Sequence, residues 1–232
     1  MANIRDYIFI SAPASTINEI YSDPQNFTKK YWEIKIQERS SFIRHFIVNN
    51  KPFAFKDHAI LYEQITQYIA DKFKIKPEEV KLIGSAKTGF SISPPPGYGR
   101  SFGAHSDLDF SIINEEIFNK LKIEYSVWKD QFTSSAINPH SETERKYWLS
   151  NVETGANQIR RGFIDTNKIP NRESFKTTME INNSMYLINS NINKYHPIKI
   201  KKTTASIYQN WNTFHQRLER NTNNILLKIN PK

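Results

Sequence analysis

Lys81-Leu-Ile-Gly-Ser-Ala-Lys-Thr-Gly89 ends one apolar run in a Gly-Ser turn, and Ser106-Asp-Leu-Asp-Phe-Ser-Ile-Ile113 opens the next with two acids one residue apart. Side chains at i and i+2 of a β-strand share a face. Asp107 and Asp109 therefore stand side by side, with Leu108 and Phe110 turned the other way. Neighbouring carboxylates repel unless a positive group lies between them, and a hard divalent cation with oxygen ligands is the usual solution. The pattern predicts a metal site at the mouth of a small sheet.

Around this centre the sequence predicts mostly helix. Pro13 to Tyr21, Glu38 to Val48 and Asp57 to Phe73 read as helices, the last with Leu61, Ile65, Ile69 and Phe73 at helical spacing. Val80–Ile83 and Leu108–Ile113 read as strands, and Arg161–Asp165 as a third. Asn114-Glu115-Glu116 is a helix start with an N-cap and acids in the first turn. Glu142 to Ile159 is helical, 174–187 fits helix or strand, and Thr203 to Leu227 reads as one helix with Ile207, Trp211, Phe214 and Leu218 on a face. The expected fold is α+β, or α/β: a small mixed sheet flanked by helices with a mainly helical C-terminal half. The expected segments are an N-terminal helical piece (1–55), a core (56–170) and a basic helical region (171–232), packed as one unit.

Composition narrows the function classes. The chain has 232 residues, long enough for a sizeable core, and no cysteine, which excludes disulfides, thiol catalysis and Cys-based zinc sites. No apolar run reaches the length of a membrane span, and Met-Ala-Asn-Ile-Arg-Asp does not open like a signal peptide, so a cytoplasmic protein without a membrane partner is expected. The net charge of +9 is uneven: beyond Glu180 the single acid is Glu219, against Lys194, Lys199, Lys201, Lys202, Arg217, Arg220, Lys228 and Lys232. Such a tail suits RNA or another polyanion, or is a solvated basic face. The six histidines show no metal-ligand pair. Gly84-Ser-Ala-Lys-Thr-Gly89 lacks the Lys-Ser/Thr that a Walker loop needs after its last glycine.

Gly84-Ser85 followed by Ser106-Asp107-Leu108-Asp109 resembles the signature of the nucleotidyltransferase superfamily, the DNA polymerase β-like fold. The resemblance covers Val80 to Ile113. It implies that Gly84 and Ser85 contact the triphosphate of an NTP, that Asp107 and Asp109 bind two Mg2+ ions, and that a third carboxylate lies on a later strand. Asp165, after Phe163-Ile164, is the candidate for that acid, or else a turn aspartate capping the next element. Lys87 and Ser106 are further candidates for nucleotide binding, and the catalytic set is Asp107, Asp109 and Asp165. The implied reaction moves an NMP to a hydroxyl on an RNA end, a protein or another nucleotide. The small stand-alone arrangement resembles members of bacterial toxin–antitoxin and anti-phage defence systems, in which a protein partner is expected. The alternative is a non-catalytic module that binds nucleotide, nucleic acid or a partner protein. The spacing from Ser85 to Asp107 exceeds the family's usual one. The inserted loop, Ser91 to His105, is expected to lie over the site and to offer Tyr98, Arg100, Phe102 and His105 to a substrate.

Overall fold

The computed structural model describes residues 4–229. Along the chain run α1 (Arg5–Ile8), α2 (Ala12–Ser15), α3 (Pro24–Glu33), α4 (Arg39–Ile43), α5 (Ala59–Phe73), β1 (Val80–Ile83), α6 (Ser85–Thr88), β2 (Asp107–Ile113), α7 (Glu115–Thr133), α8 (Glu142–Arg160), β3 (Phe163–Asp165), α9 (Lys176–Tyr195), β4 (Lys202–Tyr208) and α10 (Trp211–Ile229). The protein is a mixed α+β fold, 60% helical, with one four-stranded mixed sheet and a helical C-terminal region.

The sheet order is β1-β2-β4-β3. β2 pairs antiparallel with β1 and parallel with β4, and β3 closes the far edge antiparallel to β4. The registers Ile83↔Asp109, Asp109↔Thr204 and Asp165↔Ser206 fix two unlike faces. One carries Val80, Leu82, Leu108, Phe110, Ile112, Ala205, Ile207 and Ile164, all buried in the larger core. Against it pack α5, α7, α8 and α9, with Trp128 and Trp148 edge to face at 5.8 Å. Each buried Val, Leu, Ile or Phe side chain of this face contributes roughly 1.5–3 kcal/mol by leaving water. Gly155 in α8 makes this packing possible, since a Cβ there would stand 2.3 Å from Tyr125.

The other face is divided. At one end Ile113, Phe163 and Tyr208 join a second core with Phe27, Tyr31, Phe42 and Phe46 of the N-terminal helices and Phe214 and Leu218 of α10. At the opposite end, where β2 and β4 begin and β1 and β3 finish, the face is polar: Asp107, Asp109, Lys202, Thr204 and Ser206.

Several boundaries depart from the sequence expectations. Lys202–Tyr208 is a strand, where one helix from Thr203 was expected. Ile207 fits both periods, but Thr203, Ala205 and Ile207 alternate with polar residues, and Asn210 caps a helix that starts only at Trp211, accepting from the Thr213 N–H at 2.9 Å. The core sheet therefore draws its second inner strand from beyond residue 170. The expected helix from Pro13 to Tyr21 is the single turn α2, and Glu38 to Val48 is α4 continued by a π-helical turn, Arg44–Asn49. The ambiguous 174–187 segment lies in helix α9, which begins at Lys176.

Candidate active site

The Gly-Ser turn and the two aspartates meet at the polar end of the sheet. Gly84 links β1 to α6 at φ 72°, ψ −159°, a region open in practice to glycine alone. The conformation brings its backbone against β2, so that a Cβ would stand 3.1 Å from Asp109 Oδ2. The N–H groups of Lys87 and Thr88 both return to the Gly84 carbonyl at 3.0 and 3.2 Å. Those of Ser85 and Ala86 open the helix, where no intrahelical carbonyl reaches them.

Asp109 projects between this turn and β4. The Thr204 hydroxyl donates to its Oδ1 at 2.6 Å, and Oδ2 faces Gly84. Burial pushes the Asp109 carboxyl above the usual aspartate range. The Thr204 hydrogen bond opposes the shift, the charges of Asp107 and Asp165 add to it, and Lys202 draws it back. Asp107 is half-buried, yet its Oδ1 is fully enclosed without a hydrogen-bond partner. A buried carboxylate oxygen left unpaired is costly. This orphaned atom, next to a second acid whose charge is disfavoured, fits a divalent cation held by Asp107 and Asp109.

Asp165 lies on the same face two strands away, close enough for its charge to act on Asp109. Its carboxylate is otherwise engaged. Gln158 donates to Oδ2 at 2.6 Å and accepts from the Asp165 N–H at 2.9 Å. The Ser206 hydroxyl donates to Oδ1, and the Arg217 guanidinium lies 4.0 Å from that oxygen. Arg217 is itself stacked 3.6 Å above the Phe163 ring. Among the described residues no three His, Cys, Asp or Glu side chains come together as a metal-holding group. The arrangement is thus a pair of acids with a third held apart.

Lys87 and Ser106 do not face the site as expected. Two residues on from Ser85 in the helix, position 87 is rotated by about 200°, which buries the Lys87 side chain and directs its ammonium to the carbonyls of Val48, at 2.9 Å, and Asn50. Burial, aided by the charge of Lys81, lowers its pKa to about 7. Ser106 is buried in the turn before β2, where its Oγ accepts from the Gly103 N–H at 3.1 Å. The inserted loop is fastened rather than draped. Phe90 bridges Ser101, Tyr98 donates to the Pro24 carbonyl at 3.0 Å, and Phe102 packs against the main core, which leaves Arg100 and His105 exposed.

Sequence reasoning missed Thr204 and Lys202, which complete the site from β4. The signal was the alternation of polar and apolar residues over 202–208. No helix among the described residues is long and apolar enough to cross a membrane. Comparison with known proteins finds no matching protein family, curated protein or solved structure.

Proposed function

We propose that the protein is a Mg2+-dependent nucleotidyltransferase that moves an NMP from an NTP to a hydroxyl acceptor, with the site built on Asp107 and Asp109. The observation that carries this reading is the enclosed, unpartnered Asp107 Oδ1 beside Asp109, with the Gly84 turn against the second acid. Cation binding satisfies both the lone oxygen and the repulsion between the acids. When bound, Mg2+ supplies charge neutralisation for the phosphates and for the leaving pyrophosphate. Gly84 permits close approach of a phosphate, and the Ser85 and Ala86 N–H groups are donors at the same mouth. Thr204 holds Asp109 in one orientation. Lys202, opposite Asp107 in the register, adds positive charge for a polyanionic substrate. In the transfer, the acceptor oxygen bonds to the α-phosphorus as the bond to pyrophosphate breaks, and the hydroxyl proton leaves to solvent.

A second reading, a binding module without transfer, draws on the engagement of Asp165 by Gln158, Ser206 and Arg217. Incubation with each α-labelled NTP, Mg2+ and total RNA separates the two. Label transferred by the wild type and lost in Asp107→Ala and Asp109→Ala supports catalysis. Mg2+-dependent NTP binding with no label on any acceptor establishes the module instead.

A further inference from the structure

We propose that the cleft between α8, α9 and the start of β4 binds single-stranded nucleic acid. On the transferase reading above, which this part of the inference rests on, the cleft delivers the acceptor end to the carboxylates. The cleft has a volume of about 860 Å3, at the upper end of the usual ligand pocket. Its position follows from the sheet: β4 begins in it, and Lys202, one of its lining residues, pairs in register with Asp107. A strand lying in the cleft therefore ends at the open, polar end of the sheet.

The lining has the chemistry that single strands require. Tyr147 on α8 and Tyr186 on α9 are 67% and 71% exposed on the two walls, placed to stack on bases. Lys168, Lys201 and Lys202 supply positive charge, and no ion pair engages any of them among the described residues. The acid in the lining, Glu144, is already paired with Arg172 at 3.2 Å. The amides are also polarised. The hydroxyls of Thr166 and Thr203 donate to Oδ1 of Asn182 and Asn189, at 2.7 and 3.4 Å, which leaves each Nδ2 as a donor for a ligand. Free donors and lysines without free acids select an acceptor-rich anion, and exposed tyrosines on both walls favour one with unstacked bases over an acidic peptide or a duplex.

Fluorescence anisotropy of the full chain in EDTA, with labelled short oligo(A) and oligo(U) as RNA and DNA, tests the cleft without involving the carboxylates. Single strands of one or both sugars are expected to bind, with the sugar preference identifying the natural source. The paired change Tyr147→Ala and Tyr186→Ala should weaken binding roughly tenfold or more. Lys168→Ala with Lys201→Ala should weaken it and flatten the salt dependence. Tyr147→Phe, which keeps the ring, should bind like the wild type and controls for folding. Asp109→Asn should not weaken binding. Equal affinity for a duplex, equal competition by poly-glutamate, or unchanged binding in the tyrosine and lysine variants would overturn the inference. Binding that depends on the cleft, in a protein that transfers no nucleotide, would sink the transferase reading while leaving the cleft assignment intact.

Discussion

Replacing Asp109 by Asn should make the metal-free protein more stable. Same-face residues on a strand stand about 7 Å apart, and at an effective dielectric constant of about 20 two charges at that distance repel by about 2 kcal/mol. Asp165, two strands or about 10 Å away, adds a smaller and better screened contribution. Lys202 and the Thr204 hydrogen bond offset part of both. Asn keeps the acceptor for Thr204 and removes the charge, so the expected gain is about 1–2 kcal/mol, or about 2–8 °C in Tm for a chain of this size. The gain depends on pH with a defined sign. The raised Asp109 pKa means that the folded state binds its proton more tightly than the unfolded state does. Wild-type stability therefore falls as pH climbs from the ordinary aspartate value through the raised folded value, and the advantage of Asp109→Asn opens over that window and then stays level. Urea unfolding in EDTA across this range measures it. Mg2+ should reverse the order by stabilising only the wild type, by about 2.7 kcal/mol when free metal is about 100 times its Kd. An Asp109→Asn protein less stable than wild type in EDTA would instead show that the carboxylate is a satisfied structural group and not a strained metal ligand.

Three other substitutions probe the supporting structure. Gly84→Ala forces a non-glycine residue into a glycine-only conformation with a methyl 3.1 Å from Asp109 Oδ2, and should cost about 1–3 kcal/mol in chemical denaturation and weaken Mg2+ binding. Lys87→Met should reveal a pH effect of the opposite sign to Asp109. Wild-type Lys87 titrates near 7 when folded and at its ordinary higher value when unfolded, so wild-type stability relative to the variant rises from about pH 7 to about pH 10; a flat difference would mean that the ammonium is not buried. Gly155→Ala should lower stability by about 1–3 kcal/mol through its clash with Tyr125, read as a lower Tm.

What the sequence disclosed was local. Gly84-Ser85, the Asp107/Asp109 alternation and the Asn114 cap each depend on a few adjacent residues, and each stands in the structure where those residues put it. What it hid depends on pairing. Thr204 matters because β4 lies parallel to β2, and the polar half of β4 exists because it lines an open face rather than a core. A strand with Lys202, Thr204 and Ser206 on one side has little of the apolar content that marks a strand, and Ile207 blends into the helical spacing that follows. Lys87 shows the reverse error. Nearness in sequence to Gly84 suggested a phosphate contact, but the one-turn helix rotates it beneath the end of the π-helical turn, where it donates to the Val48 and Asn50 carbonyls. Asp165 lies on the same face as Asp109, and its carboxylate is engaged by Gln158, seven residues before it in α8, and by Arg217 on the distant α10.

On the proposed reading, Asp107 and Asp109 jointly hold a divalent ion together with an NTP. Calorimetric titration of Mg2+ and a non-hydrolysable NTP analogue into the wild type, Asp107→Asn and Asp109→Asn tests it most directly. Nucleotide binding should require the metal and be lost in both variants. Equal, metal-independent binding in all three proteins would contradict it.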